Sequence, residues 1–147
     1  HCCHHGVDIS LLTNGLLLTQ AWQKRLVQHA SKIIVSLNAA TKHIHEKINR
    51  GSQWEKVIDN IHELRKRRDE EQSGLQIIGH MTIVEENIHE INAFIEQFES
   101  WGFDAIEFGY DDSVRDAQIP AVTNKEGVDT FVLDKLGVTY ENSISRH

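Results

Sequence analysis

Four short groups of residues hold most of the chemistry this sequence offers: Thr13-Asn14-Gly15, Ser36-Leu37-Asn38, Met81-Thr82-Ile83 and Phe108-Gly109-Tyr110. Each sits at or near the end of an apolar run. Together they supply hydroxyls, amides and bare backbone, with no cluster of acids or histidines. Neutral groups of this kind orient a ribose, an amino acid or a peptide-like ligand through hydrogen bonds. They include no obvious general base or nucleophile, so a reaction here would draw its chemistry from a cofactor. Plainer roles stand beside these. Asn14-Gly15 is also an ordinary turn signal, Ser36 or Asn38 alone suits a helix cap, and Gly109 is also suited to a tight turn.

The histidines and cysteines invite a metal. His1, Cys2, Cys3, His4 and His5 are potential ligands, yet neighbours in sequence close a tetrahedral shell poorly. His43 and His45 fall on different helix faces, while His62, His80 and His89 are scattered, so surface or core-edge roles are expected of them. Two adjacent cysteines build no disulfide scaffold, which makes a reducing, cytoplasmic setting the default.

Position must come from the surrounding elements. A chain of 147 residues, 39% hydrophobic and 25% charged, is large and apolar enough for one globular domain with a core. Its net charge of -7 argues against a general binder of nucleic-acid backbones. The basic run at 65–68 is followed at once by Asp69-Glu70-Glu71, which reads as a solvated helix end. No apolar stretch approaches the roughly 20 residues of a membrane helix. The first residues carry neither an initiator methionine nor the apolar run of a secretory signal, which suggests a processed, excised or incomplete chain.

Along the chain, compact apolar runs alternate with helical patterns. Strands are expected at about 7–13, 32–37, 75–84 and 104–109. Residues 19–30 suit a helix with Trp22, Leu26 and Ala30 on one face, and 42–50 suit a short one ended near Gly51. Ser52 with Glu55, and Asn87 with Glu90, have the spacing of capping boxes. The first heads a helix striped by Trp54, Val57, Ile58, Ile61 and Leu64; the second heads one striped by Ile88, Ile91, Ile95 and Phe98. This order predicts right-handed βαβ units around a parallel sheet, with ligands at the carboxyl ends of its strands. After Asp111 the pattern weakens, and 128–138 suits either a short helix or a strand with a turn.

Taken in order, "VDISLLTNGLLLT", "ASKIIVSLNAATKHIHEKINRG", "WEKVIDNIHELRKRR", "LQIIGHMTIVEENIHEINAFIEQF" and "WGFDAIEFGY" resemble the radical SAM superfamily, in particular its peptide- and protein-modifying branch. The likeness covers residues 7 to 110. It implies an α/β fold, a partial TIM-like barrel of four parallel βα units from a (β/α)6 core, occupying 1–110 with 111–147 as an extension. By that resemblance Asn14 borders the cofactor cavity. Ser36 and Asn38 hold the ribose or methionyl end of S-adenosylmethionine. Met81 and Ile83 pack beside adenine, and Phe108, Gly109 and Tyr110 present its edge with backbone groups.

The resemblance also exposes departures. The family's CxxxCxxC loop, which holds a [4Fe-4S] cluster, is absent, and Cys2 with Cys3 cannot replace three spaced thiolates. The glycine-rich motif of the second strand is absent too. The expectation is therefore a fragment of a radical S-adenosylmethionine enzyme. The full-length protein would cleave its cofactor reductively to a 5'-deoxyadenosyl radical that abstracts hydrogen from a peptide or small metabolite, with electrons from a separate donor. This chain alone is expected to be inactive, to carry no cluster and to self-associate through its uncovered edge. The alternative is a degenerate barrel that binds a nucleotide or peptide without redox chemistry.

Overall fold

The computed structural model describes residues 8–141. Its centre is a four-stranded parallel sheet in the order β1-β2-β3-β4, formed by Ser10–Thr13, Lys32–Ser36, Gln76–Ile83 and Ala105–Tyr110. Helix α1 (Gln20–His29) joins β1 to β2. Helices α2 (Lys42–Ile48) and α3 (Trp54–Glu70) join β2 to β3. A 3-10 turn at Ile88–Glu90 runs into α4 (Ile91–Gln97) before β4. The strands follow the expected order with trimmed ends. Val7 lies outside the described residues, as do the histidines and cysteines at 1–5.

One face of the sheet is covered by helices and the other is open. Leu11, Ile33 and Ile77 form one helix-facing row, and Leu37, Met81 and Phe108 lie further along that side in the main core. Burial alternates strictly along β2 and β3, as a period of two residues requires. The open face follows from the same register. Leu12, Ile34, Ile78 and Ala105 make an apolar row, Ser36, His80 and Glu107 a polar row above it, and Thr82 with Gly109 the row nearest the tips.

Helix α1 buries Gln23, Leu26 and Val27, which turns Trp22 outward, contrary to the expected face. Both capping-box readings also need correction. Helix α3 begins after Gln53 with no side-chain cap; Ser52 bonds to His45 and Glu55 pairs with Lys42 instead. Asn87 and Glu90 likewise serve distant loops. In the basic run, Arg65, Lys66 and Arg67 pair along their own helix, but Arg68 is mostly buried and reaches Asp104, whose carboxylate also accepts Ile77 N–H at the start of β3.

Residues 111–141 add a 3-10 turn (Asp112–Val114), β5 (Val122–Thr123), α5 (Phe131–Lys135) and β6 (Tyr140–Glu141). Val114, Val122 and Leu133 join the main core. Gly127 C=O accepts Ile106 N–H at 2.8 Å, and Ile106 C=O accepts Asp129 N–H at 2.9 Å, so this segment covers part of the β4 edge. The β1 edge has no partner strand among the described residues. Beside it Leu12, Leu17 and Trp22 are 65%, 71% and 51% exposed around an apolar hollow of about 190 Å³.

Candidate functional site

Parallel pairing puts the four strand tips on one side of the molecule. At the β1 tip, Thr13 Oγ1 accepts Gly15 N–H and Asn14 Oδ1 accepts Leu16 N–H, both at 3.1 Å. Gly15 has φ +77°, and a Cβ there would stand 3.0 Å from Val35 and Val57 side chains, so the turn requires glycine. Asn14 is thus exposed at the tip with its carbonyl oxygen engaged in the turn.

The β2 tip is the most heavily braced. Asn38 adopts the left-handed conformation, φ 60°. Its Oδ1 accepts Thr82 N–H at 2.9 Å and its Nδ2 donates to Asn49 Oδ1 at 3.0 Å. The buried Asn87 amide donates to both Asn38 C=O and Thr82 C=O at 2.8 Å and accepts Val84 N–H. The buried Glu90 carboxylate accepts Ala40 N–H at 2.7 Å, Thr41 N–H at 3.3 Å and the Thr41 hydroxyl. Neither Ser36 nor Asn38 caps α2, whose N-cap residue is Thr41.

His45 pins the loop from below. Leu37 C=O can only accept, so Nδ1 carries the proton and donates to it, leaving Nε2 to accept the Ser52 hydroxyl at 2.8 Å. Burial pushes the His45 pKa below its ordinary 6.5, against the opposing pull of the Leu37 carbonyl. Its ring meets Trp54 edge-on, and edge or tilted contacts continue through Trp101 and Phe94 to Phe108 with centroids 5.3–6.1 Å apart. The aromatic chain ties the β2 loop to β4 beneath the tips.

The structure separates the expected site residues into two sets. Ser36 and Gly109 lie on the open face, with Asn38 at its rim. Met81, Ile83 and Phe108 turn their side chains into the helix-covered core, because strand residues alternate between faces; only their backbone reaches the tips. Tyr110, in register with Ile83, packs partly against that core. Near the tips the open face also carries the side chains of His80, Thr82 and Glu107. His80 Nδ1 lies 3.2 Å from Glu107 Oε1, and Nε2 lies 3.2 Å from Thr82 Oγ1. The sequence pattern gave His80 only a surface or core-edge role and did not single out Glu107. A partial signal was present, since Gln76, His80 and Thr82 all fall on even positions of β3; the partner Glu107 is set by the register of β3 with β4.

Residues 2–98 match the family model of the Radical SAM superfamily. The chain belongs to that superfamily. The fold resembles the crystal structure of a domain of pyruvate-formate lyase-activating enzyme from Bacteroides vulgatus ATCC 8482, with a TM-score of 0.58 and 15% identity, over 96% of this chain and 84% of that one. At that identity the likeness speaks for the fold, a partial (β/α)6 barrel. No curated protein matches the chain.

The Ser36 hydroxyl points to the open side and makes no hydrogen bond among the described residues, beside the apolar row of Leu12, Ile34 and Ile78. An iron–sulfur cluster does not find its ligands: no group of three His, Cys, Asp or Glu side chains able to hold one metal occurs among the described residues. No described helix is long and apolar enough to cross a membrane.

Proposed function

We propose that this chain forms one wall of the S-adenosylmethionine cavity of a radical SAM enzyme, with the cofactor resting across the strand tips on the open face. The observation that carries the reading is the Ser36 hydroxyl, on the open face beside the strand tips and without a protein partner among the described residues. Family membership supplies the ligand class. When bound, S-adenosylmethionine and a reduced [4Fe-4S] cluster supply hydrogen-abstracting radical chemistry, and the described residues offer no seat for the cluster.

What the residues of this chain do is bind and orient. Ser36 offers a hydroxyl to the ribose or methionyl end, and Asn14 an exposed amide at the neighbouring tip. The rigid loop set by Asn38, Asn87 and Glu90 fixes the height of that rim, so the cofactor meets preformed groups. Met81, Ile83, Phe108 and Tyr110 contribute through backbone position and through the packing beneath. The apolar row of Leu12, Ile34 and Ile78 lowers water access on the ligand side. The exposed β1 edge is where a further βα unit of the barrel would pack. A peptide or small-metabolite substrate and an electron donor complete the proposed system.

Calorimetry tests the reading. S-adenosylmethionine should bind the chain saturably, and Ser36→Ala should weaken binding about fivefold, the share of one ordinary hydrogen bond. Equal affinities for the two proteins would remove Ser36 from the site, and no binding to either would remove the proposal.

A further inference from the structure

We propose that Glu107, His80 and Thr82 form a hydrogen-bond relay that selects a substrate bearing a donor, an amide N–H or a hydroxyl, on the open face beside Gly109. The inference rests on reading that face as the inner wall of the barrel, and it adds a substrate-facing element to it.

The polarity of the relay follows from what each group can do. The Glu107 carboxylate accepts, so His80 Nδ1 must carry its proton toward Oε1 across 3.2 Å. In the neutral imidazole Nε2 then has a lone pair facing Thr82 Oγ1, also at 3.2 Å. The Thr82 hydroxyl then spends its only proton on His80. Its remaining lone pairs have no partner among the described residues, and they can only receive. A ligand donor therefore completes the array, and a ligand offering only acceptors meets lone pairs.

Gly109 shapes the space for that ligand. A Cβ at this position would stand 3.3 Å from His80 Cε1 and Nε2 and 3.9 Å from Thr82 Oγ1. A side chain there would crowd the imidazole and stand in van der Waals contact with the hydroxyl. With glycine there, a flat amide can lie against the β4 backbone within reach of Thr82. The relay is also well supported. Thr82 N–H is held by Asn38 and Thr82 C=O by Asn87, so its backbone is fixed on both sides. On β2 the in-register neighbour of His80 is the neutral Ser36, and the only charged side chain in that row is Glu107.

The test is NMR on the chain with 15N-labelled histidine, His80 being assigned through His80→Gln. The expected spectrum shows Nδ1 protonated and Nε2 unprotonated, and Glu107→Gln should shift His80 toward the other tautomer. N-methylacetamide, which carries one N–H, should then move the Nε2 signal saturably; N,N-dimethylacetamide, which carries none, should not. Thr82→Val should weaken the first response about fivefold, one ordinary hydrogen bond, and Thr82→Ser should restore it. An Nε2-protonated His80, or equal responses to the two amides, overturns the relay. S-adenosylmethionine added to the same samples separates the two proposals. Amide discrimination without cofactor binding keeps the relay and removes the cavity reading; cofactor binding without amide discrimination does the reverse.

Discussion

Asn38 joins the backbone of the β2 tip to β3, and its replacement can be worked from the structure. Asn38→Ala removes the acceptor of Thr82 N–H and the donor to Asn49 Oδ1. Leaving a partly buried amide without a partner costs about 1–3 kcal/mol. The φ of 60° adds to this, since asparagine tolerates the left-handed region better than alanine does. The sum is a loss of about 2–4 kcal/mol. Asn38→Gly loses the same bonds but not the backbone fit, so it should be milder by about 1 kcal/mol. With a urea slope of about 2 kcal/mol/M, Asn38→Ala should lower the unfolding midpoint by about 1–2 M. Equal midpoints for the alanine and glycine variants would refute the backbone term, and a midpoint unchanged from wild type would refute the bracing role altogether. Cofactor titrations of the same two variants then separate framework from contact. If the Asn38 amide meets S-adenosylmethionine, both variants lose affinity alike; if it serves only the loop, affinity loss follows stability loss.

Other expectations concern the same framework. Glu90→Ala strips the acceptor from Ala40 and Thr41 N–H and should destabilise the fold by about 2–4 kcal/mol in urea titration; a loss under 1 kcal/mol would contradict the bracing. His45 has a depressed folded pKa, so the unfolded chain binds its proton more readily between the two values. Its stability contribution is complete above about 6.5 and declines as pH falls below that toward the folded pKa. Midpoints measured down the acid side should therefore fall, with a shallower slope in His45→Gln; identical slopes would remove this linkage. The β1 edge, with Leu12, Leu17 and Trp22 uncovered, should drive association of the isolated chain. Sedimentation should show oligomers that Leu12→Lys with Leu17→Lys dissociates, and a wild-type monomer across the concentration range would refute the expectation.

Much of the architecture was legible because apolar runs and helical stripes repeat with different periods. The runs at 32–37 and 75–84 became β2 and β3, and 128–138 resolved into a short helix followed by a turn. The facing of the strands was harder to read. Ile33 and Ile34 are both apolar, as are Ile77 and Ile78, so composition did not say which side meets the helices. The resemblance set Met81 and Ile83 beside adenine, whereas their side chains turn into the helix-covered core and only their backbone lies at the tips. The capping spacings misled for another reason. Local pairing of Asn87 with Glu90 competes with contacts to residues 38–41, almost fifty positions away in sequence, and the buried tertiary bonds won. Ser52 was similarly claimed by the imidazole of His45. The His80–Glu107 pair depends on strand register, which no single segment specifies.

The most direct test of the shared ligand-bearing face is hydrogen–deuterium exchange of the chain with and without saturating S-adenosylmethionine. Slower exchange is expected together in peptides covering 13–16, 36–39, 82–85 and 109–111, with the surfaces of α1 and α3 unchanged. Protection confined to the helices, or no protection at any tip, would contradict it.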